Sequence, residues 1–166
     1  SIHAAAKLSG IFNAARLAAE NFGERVHVFN SGQLSLGCGF QVLSAAESIA
    51  KDLSVEKILQ DLTALQKKIK VIAVLDTLEY LRRSGRVSWA KARIGELLKL
   101  KPMIELSYGK VENLGAVRTT RVANKRVLEM LNDVGALDRL AVLHTSAEER
   151  ARQFLAEAAP NLHSPP

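Results

Sequence analysis

Between residues 25 and 143 the chain alternates short β-like runs with stretches of helical spacing, and no other feature restricts its fold as tightly. The runs are Arg25–Phe29, Lys70–Leu75, Pro102–Leu106, Lys110–Val117 and Arg139–Leu143. Before and between them, Gly10–Phe22 sets Ile11, Ala14, Ala15, Ala18 and Phe22 on one helical face, and Gly23 follows as a stop. A second helix is expected over Ser35–Leu53, where Gly37 and Gly39 permit close approach of another backbone. Ser54 caps a third, carrying Ile58, Leu62 and Leu65. Strands alternating with helices predict an α/β protein.

Two further helix starts carry capping-box spacing directly after strand-like runs. Asp76-Thr-Leu-Glu79 would open a helix over Thr77–Ser84, and Ser146-Ala-Glu-Glu149 one over Ala147–Ala158. Tyr108-Gly109 between two runs reads as a hairpin turn, so the second half carries antiparallel pairing. A boundary is expected in the Gln66–Lys70 run. The tail, with Pro160 and Ser164–Pro166, reads as frayed or cut.

A length of 166 residues, 48% of them hydrophobic, suits one ordinary domain or two small lobes. With Cys38 alone, an intrachain disulfide and a thiolate zinc cluster are both excluded, and a cytoplasmic setting fits best. The longest clear apolar run, Val71–Leu75, falls far short of the roughly 20 residues a bilayer span requires. The formal charge of +6 admits a nucleic-acid or anionic-membrane partner, but aromatics at 5% argue against a base-stacking platform.

Candidate chemistry begins at Ser9-Gly10, where an apolar helix starts. The first turn of a helix leaves N–H groups unpaired at the positive end of its dipole. Ser9 can cap that turn, or turn its hydroxyl to a carboxylate or phosphate, with Gly10 keeping the approach clear. Pattern alone favours the cap. Arg86 projects past the helix stop Gly85, either solvated or contacting a partner or phosphate. Arg118 stands at a strand-to-helix junction where Thr119 or Thr120 can cap the next helix, with Arg121, Lys125 and Arg126 on its outer side. His3, His27, His144 and His163 show no metal spacing, and no nucleophile elbow, Walker loop or dinucleotide fingerprint is present. No catalytic residue and no metal ligand is assigned.

Taken in order, these stretches resemble the DegV family of bacterial fatty-acid-binding proteins. Lys7-Leu-Ser-Gly10 before an Ala-rich helix resembles the family's Ser-x-Leu-Ser-Gly-Thr motif. Phe29-Asn-Ser31 with Ser35-Leu-Gly-Cys-Gly39 is similar to its Asp-Ser segment and glycine-containing helix start. Thr77-Leu-Glu-Tyr-Leu81 through Ser84-Gly-Arg86, with Lys99-Leu-Lys-Pro102, is the most specific match. Tyr108-Gly-Lys110 and Val117-Arg-Thr119 continue it, so the resemblance runs over nearly the whole chain.

The resemblance implies a two-lobed α/β fold, a mainly parallel sheet lobe followed by a mixed α/β lobe with an antiparallel hairpin. Residues 1–69 would be the remainder of the first lobe and residues 70–166 an incomplete second one. It implies no cofactor and no chemistry of the chain's own. The ligand would be one long-chain fatty acid, presented to an ATP-dependent fatty-acid kinase and afterwards carried as acyl phosphate. Transient contact with a membrane surface is compatible with that role, and no nucleic acid is expected. By motif position, Ser9 and Gly10 would meet the carboxylate, and Arg86 and Arg118 a partner or phosphate.

Departures are specific. Ile11 replaces the usual threonine, Asn30 the usual aspartate, and Ser84 a common glycine. The family's N-terminal Thr-Ser-x-Pro and C-terminal Thr-His-x-Gly-Pro-Gly motifs have no counterpart, and His144 falls well before the latter. The chain is therefore expected to be an internal portion of a longer protein. A basic nucleic-acid-binding or regulatory domain is the alternative reading, and an enzyme acting on small anions the third.

Overall fold

The structure is a computed structural model that describes residues 1–87, 89 and 100–163. Of the positions singled out above, Ser88, Lys99 and the tail Ser164–Pro166 lie outside the described residues.

Among the described residues, five strands form two sheets. Strands β1 (Ile2–His3) and β2 (Phe29–Asn30) pair in parallel, Ile2 beside Phe29 and His3 beside Asn30. Parallel neighbours need a crossover. It is supplied by helix α1 (Ile11–Ala19), which tightens into a 3₁₀ segment, Glu20–Arg25, where Gly23 takes φ +57°. Strand β2 is thus shorter than the expected Arg25–Phe29 run, because ladder partners exist only opposite the two residues of β1.

The second sheet is antiparallel in the order β3 (Val71–Val74), β4 (Lys101–Ser107), β5 (Lys110–Val117). Tyr108 and Gly109, at φ +50° and +71°, make the expected hairpin turn. A two-residue loop with both central φ angles positive matches the right-handed twist of its strands. The β4–β5 register shifts between Met103 and Ile104, and Gly115 at φ +97° lies opposite Met103 in that bulge. The fold is therefore mixed α/β, with a parallel pair and a separate antiparallel sheet, as expected.

Further α-helices among the described residues are α2 (Ser35–Ile49), α3 (Val55–Gln66), α4 (Glu79–Ser84), α5 (Thr120–Val134) and α6 (Glu148–Ala158). Two caps follow the expected chemistry. Ser54 Oγ accepts the Lys57 N–H at 3.3 Å, and Thr119 Oγ1 accepts that of Val122 at 3.2 Å.

Both expected capping boxes are corrected. Asp76 is drawn instead to the Lys101 ammonium on β4, and Thr77 Oγ1 accepts the Glu79 N–H at 3.1 Å. Glu79 cannot reach back, because its carboxylate is held by Arg82 and Arg83. Ser146 sits at φ +51°, away from cap geometry, and the Ala147 N–H goes to His144 Nδ1 at 3.3 Å.

The expected strand Arg139–Leu143 is not formed either. A strand requires a ladder partner for its backbone groups, and the only bridge nearby among the described residues is Leu137 to Leu162. Arg139 instead forms an ion pair with Glu47 of α2, at 2.5 Å.

The two sheets meet through an apolar cluster. Ala5, Leu8 and Leu106 are buried together, with Leu34, Val71 and Val111 packed on them. These six side chains come from both loops of the parallel unit and from all three strands of the antiparallel one. No helix among the described residues is long and apolar enough to cross a membrane.

Candidate functional site

In an α/β arrangement the loops that leave the carboxyl ends of parallel strands lie side by side and form the usual ligand crevice. Here those loops are residues 4–10 after β1 and residues 31–34 after β2. They are stitched together: the Ala5 N–H donates to the Gln33 carbonyl at 2.8 Å, and the Ser31 N–H to that of His3 at 3.0 Å. Asn30 Oδ1 accepts from both loops, from Ala6 N–H at 3.1 Å and Gly32 N–H at 3.2 Å.

Ser9 leads directly into α1. Its own N–H donates to the Ala5 carbonyl at 3.0 Å, and its Oγ accepts the Ile11 N–H at 3.3 Å. A hydroxyl that accepts one bond still has its hydrogen to donate. Gly10, at φ −73° and ψ −7°, is the residue in the cap position, so Ser9 is not the N-cap. The first bond along the helix runs from Ala14 N–H to the Gly10 carbonyl at 3.0 Å. The N–H groups before Ala14 lack an intrahelical acceptor and sit at the positive end of the dipole. A Cβ placed on Gly10 would meet nothing within 4 Å, so the approach is open. Ile11 is exposed beside it.

The hairpin of the antiparallel unit and the segment from α3 to β3 close on these loops from the other side. Gly109 N–H donates to the Gly32 carbonyl at 2.7 Å, Gln33 Nε2 to that of Ile69 at 3.2 Å, and Gln66 Nε2 to that of Asn30 at 2.8 Å. Helix α4 ends at Gly85, in the left-handed conformation at φ +67°, which turns the exposed Arg86 towards the Ser9 loop. Arg86 Nε then donates to the Leu8 carbonyl at 2.7 Å, and its Nη1 to that of Ser84 at 3.0 Å.

Of the sequence-predicted site residues, Ser9, Gly10 and Arg86 are therefore brought together. Arg118 is not among them. It follows the end of β5 that pairs with Lys101, whereas Leu8 packs on Leu106, about 17 Å further along β4 at the usual rise per residue.

Charge around α4 is organised by Glu79, which accepts from Arg82 Nη2 at 2.7 Å and Arg83 Nε at 2.8 Å. Those two guanidinium bonds hold its carboxyl down to about 2. The Lys101 ammonium likewise lowers the Asp76 carboxyl. At this end an open groove of about 280 Å³ is lined by Leu75, Asp76, Thr77, Tyr80 and Leu81. A smaller one, about 160 Å³, lies beside His144, Glu148 and Arg152.

Gln33 and Gln41 of the junction were missed in the sequence, and Ser31 was marked there only as part of the Phe29-Asn-Ser31 stretch. Ser31, Gln33 and Gln41 are fully buried, and Gln41 Nε2 donates to the carbonyls of Ser31 and Gly37. Nothing in an isolated glutamine marks it as buried. Asn30 carried one signal, its departure from the aspartate of the DegV pattern, and the structure explains why that departure is compatible with the fold: the position needs an acceptor oxygen, which either residue supplies.

Comparison with known proteins gives a consistent result. The model of the DegV family matches residues 1–164. A DegV domain-containing protein of Deinococcus radiodurans is 35% identical over 98% of this chain and 59% of its own length. A solved structure described as fatty acid binding of a DegV family protein from Thermus thermophilus is 37% identical, with a TM-score of 0.73 over 80% of this chain and 47% of that one. The crystal structure of DegV, a fatty acid binding protein from Bacillus subtilis, is 32% identical, with a TM-score of 0.81 over 97% of this chain and 61% of that one. The chain thus spans between about half and three-fifths of the relatives it matches.

Proposed function

The chain belongs to the DegV family, and from that membership together with the geometry of the Ser9 loop we propose that it holds the head group of a long-chain fatty acid. The carboxylate lies against the Ser9 hydroxyl and the first-turn N–H groups of α1, with Gly10 leaving room for it. The acyl tail is buried, and each CH₂ removed from water adds roughly 0.8 kcal/mol to retention. The chain is a binding subunit with no chemistry and no cofactor of its own.

One observation carries this reading. Ser9 stands at an open helix N-terminus with its hydroxyl hydrogen available, in a family whose members from Thermus thermophilus and Bacillus subtilis are described as fatty-acid-binding. The finer role follows from the same motifs. The bound acid is presented to an ATP-dependent fatty-acid kinase in the cytoplasm and carried onward as acyl phosphate, with transient contact at a membrane surface. Arg86 and Arg118 are the basic residues proposed to meet the partner or the phosphate. Residues 1–69 and 70–166 are proposed as the two lobes, and the head group sits where their loops meet.

Denaturing extraction and mass spectrometry of the purified protein test the binding. A co-purified long-chain acid, or uptake of added acid, is expected. Absence of both would remove the proposal. Acyl phosphate formed only when a fatty-acid kinase and ATP are added is the expected result for the finer role.

A further inference from the structure

The loop that carries Ser9 is tied at its start to the neighbouring loop, through the bonds from Ala5 N–H to Gln33 and from Ala6 N–H to Asn30. Its end is tied from the other sheet, 78 residues away, by the 2.7 Å bond from Arg86 Nε to the Leu8 carbonyl. The Arg86 guanidinium is itself fixed. Its Nη1 donates to the Ser84 carbonyl, and its backbone N–H donates to Ser84 Oγ at 3.2 Å. It forms a planar bridge from the last turn of α4 to the peptide group directly before Ser9.

That peptide group is held at both poles. Its carbonyl oxygen, from Leu8, is on Arg86, and its N–H, from Ser9, is on the Ala5 carbonyl at 3.0 Å. A peptide group is rigid and planar, so fixing both poles fixes its plane. The buried Leu8 side chain adds a third anchor beside Leu106.

We propose that Arg86 is a positioning residue for the acid site: by holding the Leu8 carbonyl it fixes the peptide plane before Ser9, and so directs the Ser9 hydroxyl and the first N–H groups of α1 at the ligand. The proposal rests on the reading of Ser9 as the carboxylate contact. It also gives Arg86 a task beyond charge. A lysine supplies the same charge from a single flexible point and cannot reproduce two donors in one rigid plane.

Arg86→Lys and Arg86→Gln are compared with the unaltered protein by amide hydrogen exchange without ligand and by titration with hexadecanoic acid. Faster exchange at Ser9 and Ile11 is expected in both variants, with β4 amides unchanged as the control on folding. Both should weaken hexadecanoic acid by up to about tenfold, the most that misorienting the Ser9 bond to the carboxylate can cost. Combined with Ser9→Ala, Arg86→Lys should add less than its separate factor, because it acts through Ser9. Unchanged exchange at Ser9 and Ile11 would overturn the proposal. So would a lysine variant that binds as the unaltered protein does while the glutamine variant fails, since charge would then suffice. If the unaltered protein takes up no acid, the fatty-acid reading fails, and the exchange comparison alone decides the positioning role.

Discussion

Gly37 in α2 lies against Val71 in β3 so closely that a Cβ added to it would come within 2.6 Å of Val71 Cγ2. The same added atom would stand 3.1 Å from Gln33 Oε1 and 3.2 Å from Gln33 Cβ. Both neighbours are packed in the junction, so neither can move without cost. Gly37→Ala should destabilise the protein by about 1–3 kcal/mol, the usual penalty for overpacking, read as a fall in denaturation midpoint. Gly10→Ala, with open space around it, should stay within about 0.5 kcal/mol of the unaltered protein. Equal stability of the two variants would contradict the packing described.

Asn30 acts through one oxygen that accepts two backbone N–H groups from different loops. Asn30→Asp keeps that acceptor and should be neutral or mildly stabilising. Asn30→Leu leaves both donors without it; Ala6 is exposed and can turn to water, so the loss of about 1–3 kcal/mol expected for an unpaired buried group falls on Gly32. Urea denaturation distinguishes them, and a destabilised aspartate variant would show that the amide nitrogen matters instead.

The difference between what was legible and what was not lies in the range of the interaction. The hairpin at Tyr108-Gly109 and the caps at Ser54 and Thr119 depend on residues within three positions, and all three formed. The strand expected at Arg139–Leu143 had the right composition but needed a partner ladder, which composition does not report. The capping box expected at α6 did not form, because Ser146 adopts a positive φ that spacing does not reveal, and the helix begins after Ala147 without a side-chain cap. At the site, Ser9 and Gly10 were marked by local helix chemistry. The bonds that orient them cross separations of 24 and 78 residues, to Asn30 and Arg86; the first exists only once β1 and β2 have paired, the second only once the two sheets have packed.

Acid should loosen α4. The Glu79 carboxyl, ordinarily near 4.5, is held at about 2 by Arg82 and Arg83. Between those values the folded chain binds fewer protons than the unfolded one, so stability falls as pH falls. The contribution is complete above the unfolded value and gone below the folded one. Denaturation midpoints of Glu79→Gln and the unaltered protein should therefore differ at about pH 6 and converge towards about pH 2. The gap should also shrink with added salt, because these side chains are accessible to solvent. A gap independent of pH would assign the effect to packing.

The central claim is that Ser9 and the α1 N-terminus hold a carboxylate, and its most direct test is the binding of hexadecanoic acid and its methyl ester to the unaltered protein and to Ser9→Ala. The acid is expected to bind better than the ester, and Ser9→Ala to weaken the acid by about tenfold, one bond to a charged group, while leaving the ester nearly unchanged. Equal affinity for acid and ester, or an acid affinity untouched by Ser9→Ala, would contradict it.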